Sequence, residues 1–255
     1  MSASDAAVFE ATPRPVVSRG NAYPASFELP THQHRRGQLL YASKGTVAVT
    51  TPFGAWIAPP ERAVWIPSEI PHAVRMIGAV NTRSVYIEPE VTGAAGAACR
   101  VIAVSPLLRA LLVEAVHVPR EYDTTGRDGL LMALLVEEIG RAPRVPLDLP
   151  LPSDSHLAAL CARFLEHPNV VEGIDAWADR LGMHRRSFTR LFRRETGMSF
   201  AQWRQQACLL AALPRLAANE AVTEVALDLG YESATSFSTM FRRALGKPPS
   251  DYRAA

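Results

Sequence analysis

The feature that most constrains this chain is a stretch written twice in its C-terminal third. Ile174, Trp177, Ala178, Leu181, Gly182 and Met183 are matched, at the same spacing, by Val222, Val225, Ala226, Leu229, Gly230 and Tyr231. After a one-residue shift, Phe188, Leu191, Phe192, Arg193, Arg194 and Gly197 are matched by Phe237, Met240, Phe241, Arg242, Arg243 and Gly246, and Trp203 with Arg204 by Tyr252 with Arg253. A duplication of this length means one supersecondary unit built twice. Each copy reads as a short helix, a turn at glycine and a second amphipathic helix, which is the helix-turn-helix plan.

The second helix of the first copy, RRSFTRLFRRETG from Arg185 to Gly197, defines the chemistry. On a 3.6-residue period Phe188, Leu191 and Phe192 share one face, while Arg185, Arg186, Thr189, Arg190 and Arg193 fall around the rest. A merely solvated helix would mix acids with bases for mutual pairing, yet the only acid here is Glu195. One face therefore docks and the other seeks anions. A net charge of only +2 would not announce a nucleic-acid partner, so the signal lies in the clustering. Among 27 basic residues only Lys44 and Lys247 are lysines. Arginine's planar fork suits phosphate and guanine, although genomic base composition produces the same bias.

The first half has another texture. Residues 37–89 read as short strands (QLLYAS, TVAVTT, AWIAPP, RAVWIP, HAVRMI, RSVYIE) with prolines at their ends, the pattern of a small sandwich or barrel. After Glu90 the next 50 residues or so read as helical. Ser105 and Pro106 form a cap and first-turn pair. Leu107, Leu108, Leu111, Leu112, Ala115 and Val116 make one stripe, and Leu130, Leu131, Leu134, Leu135 and Ile139 a second, giving a helical hairpin. That much leucine predicts either packing on the barrel or pairing with a second copy, a homodimer. Residues 142–153, APRVPLDLPLPS, read as a linker, with Asp154 capping the first helix beyond it. Three dispersed cysteines exclude a disulfide framework and a four-cysteine zinc site. The N-terminus does not read as a signal peptide and no segment is long and apolar enough for a membrane span, so a cytoplasmic protein is expected.

LGMHRRSFTRLFRRETGMSFAQWR and VTEVALDLGYESATSFSTMFRRALGKPPSDYR together resemble the AraC/XylS-type DNA-binding domain over about residues 155–253. The resemblance implies a sequence-specific transcription regulator with double-stranded DNA as partner. Carried over by position, the first recognition helix uses Arg186, Thr189 and Arg190 with Arg185 nearby, and the second uses Ala234, Thr235, Ser238 and Thr239. Arg193, Arg194 and Arg242 read equally as phosphate clamps and as partners of nearby acids. One departure is Pro214, where the family's linking helix continues, so an early stop or kink is expected there.

Residues 29–90 resemble a cupin barrel, carried by HQHRRGQ and IPSEIPH. That resemblance implies a sensing domain, and a possible divalent metal held by His32, His34, Gln38 and His72, with glutamine where metal-binding cupins place glutamate. Polar groups at the mouth of a pocket for an organic effector are the alternative reading of the same residues. Tyr41, Trp56, Trp65, Arg75 and Tyr86 are candidates to line that pocket or to fill the core, the core being the better reading for the tryptophans. The expected fold is α+β: a cupin-like sensing barrel with an N-terminal arm (1–100), a dimerising hairpin (101–141), a linker (142–153) and an all-α tandem helix-turn-helix domain (154–255). The expected function is effector-responsive transcription regulation without catalysis; the alternative is a metal-dependent cupin enzyme with secondary DNA binding.

Overall fold

The computed structural model describes residues 11–253 except 26, 60, 94, 95 and 146. Two compact units emerge: one from the chain up to Thr51 with Trp56–Leu147, the other from Pro52–Ala55 with the chain from Asp148 on.

The first unit is built on an antiparallel sheet. Its strands are β1 (Val16–Tyr23), β2 (Glu28–His32), β3 (Gly37–Thr51), β4 (Gly54–Ala58, of which this unit holds the part from Trp56 on), β5 (Arg62–Ile66), β6 (His72–Ile87), β7 (Arg100–Ala103) and β8 (Arg144–Val145). The order β1-β6-β3-β5-β7-β8 runs through it, with β2 paired to the beginning of β6. QLLYAS and TVAVTT, expected as separate strands, form the single strand β3, and HAVRMI and RSVYIE the single strand β6. Chain continuity survives because the break is absorbed as a bulge: the register slips around Lys44–Thr46, and Gly45 adopts φ 79°. A Cβ at Gly45 would come within 2.5 Å of the Ala79 carbonyl oxygen, so only glycine fits.

Side chains alternate across the sheet, and both faces are buried. Leu39, Tyr41, Val85, Ile87, Ala63 and Trp65 turn to one face. There they pack with Leu108, Leu112 and Ala115 of α1 (Pro106–Ala115) and Met132, Leu135 and Ile139 of α2 (Arg127–Arg141). Ser105 caps α1 by accepting from the Leu108 N–H, and Pro106 opens it, as the sequence implies. Gln38, Leu40, Ser84 and Tyr86, one step out of phase, occupy the other face.

Two expectations about this unit's segments need correction. The region after Glu90 is not wholly helical, because RVIA forms β7 beside β5. The proline-rich stretch is not linker from its first residue, because Arg144 and Val145 pair with β7. Most of the hairpin's leucines pack on the sheet, the first of the two readings: Leu108, Leu112 and Leu135 are buried and Leu111 and Leu131 pack against the same cluster, leaving Leu107, Leu130 and Leu134 exposed.

The second unit is helical. It comprises α3 (Ser155–Glu166), α4 (Ile174–Arg180), α5 (Arg185–Thr196), α6 (Phe200–Ala217), α7 (Val222–Asp228) and α8 (Ala234–Leu245). Asp154 caps α3, accepting from the Leu157 N–H. Phe164, Trp177, Phe188, Phe192, Phe200 and Trp203 form one aromatic core with ring separations of 4.8–6.4 Å, mostly edge-on or tilted as their quadrupoles prefer. Ser199 and Gln202 make a capping box for α6. At 18 residues, α6 spans about 27 Å. It runs through Pro214 to Ala217 and does not stop early.

Where the second unit begins, Glu195 near the end of α5 accepts from the Ser153 hydroxyl (2.6 Å) and from the N–H groups of Ser153 and Asp154 (both 3.2 Å). These bonds, with Arg194 alongside, hold its carboxyl down at about 2. A depressed carboxylate stabilises the fold above its unfolded value and loses that contribution as pH falls toward the folded one. We expect stability to decline between about pH 4.5 and pH 2 more steeply in the wild type than in Glu195→Gln, read from acid unfolding followed by circular dichroism. Gly45→Ala should cost about 1–3 kcal/mol in a denaturant titration, because it forces a side chain into left-handed backbone against a carbonyl.

Candidate functional site

Two groups of side chains stand out, one in each unit. On α5 the core face is Phe188 and Phe192, both fully buried. Their positions four residues apart leave Arg185, Arg186, Thr189, Arg190, Arg193 and Arg194 exposed. Arg185 pairs with Asp175 at 3.2 Å and Arg194 with Glu195 at 3.1 Å. The guanidinium groups of Arg186, Arg190 and Arg193 have no hydrogen bond or ion pair among the described residues. Thr189 spends its hydroxyl proton on the Arg185 carbonyl (2.8 Å), leaving a methyl and an acceptor oxygen facing out. Arg190 and Arg194 also edge a groove of about 650 Å³ shared with Asp154, His156, Ser187 and Leu191.

The second copy repeats the scaffold and changes the surface. Phe237 and Phe241 are fully buried. Gly246 ends α8 in the left-handed conformation (φ 80°), as Gly197 ends α5 (φ 70°). Ala234, Thr235, Ser238, Thr239 and Arg242 all line one groove of about 320 Å³, together with Pro248. Every position expected to contact DNA thus lies on an outward face of its helix.

In the sheet unit, His32 at the end of β2 lies directly opposite His72 at the start of β6, and His34 follows in the turn to β3. Their candidate ligand nitrogens all fall within 4.8 Å of one another. Each ring directs Nδ1 at a main-chain carbonyl: His32 to Pro30 (2.8 Å), His34 to Arg36 (2.6 Å), His72 to Ile70 (2.8 Å). A carbonyl only accepts, so each Nδ1 carries a proton and each Nε2 is left for the cluster. Nε2 of His34 stands 3.0 Å from Oε1 of Gln38, whose amide nitrogen donates to Ser84 Oγ (3.2 Å) and Tyr86 Oη (3.3 Å). Nε2 of His72 is buried with no hydrogen-bond partner among the described residues. Burial pushes the His72 imidazole down to about 4 and lowers His32 as well.

His32, His34, Gln38 and His72 are therefore brought together. Tyr86 lies beside them, its ring edge-on to His34 at 5.4 Å. Tyr41 and Trp65 do not: both are buried in the core under the hairpin, because they fall on the opposite phase of β3 and β5. Their assignment to an effector pocket is corrected accordingly. Ser84 was not singled out in the sequence, although its alternation with Tyr86 places it on the inner face.

The comparisons with known proteins agree with this division. Residues 177–255 match the helix-turn-helix domain model, and residues 14–138 match the AraC-like ligand binding domain model. The chain is 33% identical over 225 residues to the HTH-type transcriptional regulator NimR of Escherichia coli (strain K12), covering 88% of this chain and 82% of that protein. It is 36% identical over 89 residues to the regulatory protein SoxS of the same strain, covering 34% of this chain and 83% of SoxS. Among solved structures, the DNA-binding domain of AdpA in complex with a target DNA is 36% identical, covers 38% of this chain and 88% of that one, and gives a TM-score of 0.36. No helix among the described residues is long and apolar enough to cross a membrane. With an AraC-like ligand-binding domain ahead of a doubled helix-turn-helix, and this likeness running along most of its length, the chain belongs to the AraC-type family of transcriptional regulators.

Proposed function

We propose that this regulator reads double-stranded DNA with both recognition helices, α5 and α8, and that a small molecule bound in the sheet unit alters that reading. The observation that carries it is the pair of outward faces, each held in rotation by two buried phenylalanines. Arg186 and Arg190, unpaired and adjacent, are suited to bidentate contact with guanine, and Arg193 to phosphate. Arg185 and Arg194 already hold acids and contribute field more than base selection. Ala234, Thr235, Ser238 and Thr239 offer methyl and hydroxyl contacts, with Arg242 on the backbone. The first helix then dominates affinity.

The sheet unit senses and does not catalyse. Gln38 supports this, since an amide stands where an oxygenase iron site generally has a carboxylate. The three cysteines are free thiols, compatible with the reducing cytoplasm in which such a regulator meets DNA. The working division is a sensing unit over 1–100, a dimerising hairpin over 101–141, a linker within 142–153 and a DNA-binding unit over 154–255. The exposed Leu107, Leu130 and Leu134 support a homodimer through the hairpin, which raises the effective concentration of two DNA-binding units on paired sites.

Sequencing genomic fragments captured by the purified protein tests the reading as a whole; enrichment no sharper than that of random DNA refutes it. Binding should weaken steeply with salt, as arginine–phosphate contacts release counterions. Arg190→Ala should cost about 1–3 kcal/mol and relax selectivity at one base position, measured by titration against substituted sites. Leu107→Glu with Leu134→Glu should give folded monomers by light scattering that bind half-sites normally and the paired site about 100-fold more weakly.

A further inference from the structure

We infer that a cleft in the helical unit, between α3 and α4, is a second effector site, and that it takes a zwitterionic α-amino acid with an aliphatic side chain. This goes beyond the sheet unit's part in sensing and does not depend on it.

The cleft holds about 390 Å³, near the lower end of the roughly 300–1,000 Å³ that small-molecule sites occupy, which suits a ligand of amino-acid size. Part of its wall is Trp177, 1% exposed, with Phe164 edge-on beside it at 5.5 Å. The indole nitrogen of Trp177 is buried, and its N–H has no acceptor among the described residues. An indole N–H only donates, and buried donors are ordinarily satisfied. Trp203, in the same aromatic core, is the ordinary case: its N–H donates to the Pro150 carbonyl at 2.8 Å. Trp177 keeps its donor for an acceptor that the cleft admits.

The duplication explains the space. At the spacing that matches Ile174 with Val222, His167 corresponds to Arg215, Glu172 to Glu220 and Trp177 to Val225. In the second copy Arg215 reaches across and holds both Glu220 (2.8 Å) and Asp228 (2.6 Å). In the first copy the shorter His167 lines the cleft with no hydrogen bond or ion pair among the described residues, and Glu172 is held by Arg180 instead. The seat that Arg215 fills in one copy is therefore open in the other. Where the second copy places an apolar valine, the first places an unspent donor.

The rim sets the charges of the ligand. Arg163 and Glu166 both line the cleft and both are exposed. Opposite charges three residues apart on a helix ordinarily pair, yet neither of these has an ion pair or side-chain hydrogen bond among the described residues. The site thus offers one uncommitted cation, one uncommitted anion and one N–H. A carboxylate accepts from Arg163 and Trp177, an ammonium donates to Glu166, and an aliphatic side chain lies against Leu160 and Phe164. A simple acid or a simple amine satisfies one of the two charges and leaves the other unmatched. Occupancy bears on DNA because the Trp177 ring packs 6.4 Å from both Phe188 and Phe192, the side chains that fix the rotation of α5.

The test uses the full-length protein with ¹⁵N-labelled tryptophan, titrated in turn with leucine, isoleucine, valine and methionine. The Trp177 indole resonance is identified as the one missing from Trp177→Phe. We expect at least one of the four amino acids to move that resonance saturably. Its decarboxylated amine and its deaminated acid should each bind at least tenfold more weakly, as should the amino acid itself to Arg163→Ala and to Glu166→Ala, two exposed positions at which circular dichroism stays native. At saturation, affinity for a DNA fragment the protein captures should change at least threefold, and should not change in Arg163→Ala at the same ligand concentration. A Trp177 resonance unmoved by all four overturns the proposal, and so does a singly charged analogue that binds as well as its parent. Binding that leaves DNA affinity unchanged overturns the assignment as an effector site. A protein blind to all four that still selects its DNA sites sinks this inference and leaves the regulator reading intact.

Discussion

The rotation of each recognition helix about its own axis is the constraint on which the molecule's purpose hangs. That angle is fixed by two rings, Phe188 with Phe192 in one copy and Phe237 with Phe241 in the other, all fully buried. Fully burying a phenylalanine is worth about 1.5–3 kcal/mol, and turning either helix by one residue would expose both rings at once. The penalty of such a slip far exceeds any single contact an arginine makes with a phosphate. Surface chemistry is thus subordinate to core geometry. The arginines face outward because the phenylalanines have taken the inside.

Much of this was legible in the sequence because helical period is a local signal. The caps at Ser105 and Asp154 and the split between aromatic and basic faces depend on residues within a few positions of one another, and the duplication writes the same local pattern a second time further along the chain. The sheet was less legible. β3 reads as broken because Lys44–Gly45 looks like a turn, and β6 because residues 78–82 do not alternate, whereas pairing between the two strands lets the chain bulge and continue. β7 was lost to a helical reading because four apolar-rich residues carry no distinguishing period. Long-range pairing decided both, and long-range pairing leaves no mark within a short window.

The two sites differ in the same way. Histidines two residues apart announced a shared face, and the structure gathers His32, His34 and His72. What sequence could not supply was phase: Tyr41 looks as suitable for a pocket as Tyr86, yet of the two only Tyr86 shares the face of Gln38. Nor could it supply the direction of a ring, since the three Nδ1–carbonyl bonds that aim the cluster exist only once the backbone at Pro30, Arg36 and Ile70 is in place.

The two helix-turn-helix copies agree where they are buried and disagree where they are exposed. Phenylalanines, terminal glycines and the paired arginines before them recur, while Arg185, Arg186, Thr189 and Arg190 give way to Ala234, Thr235, Ser238 and Thr239. Folding and address are therefore written in separate letters of the same segment. Substitution on one outward face is nearly free of consequences for the core beneath it and for the other copy. Under the proposed two-helix reading, such a protein drifts to a new half-site by a few surface changes while the remaining half keeps it anchored to the old one, so its lineage explores operators without passing through a form that binds nothing.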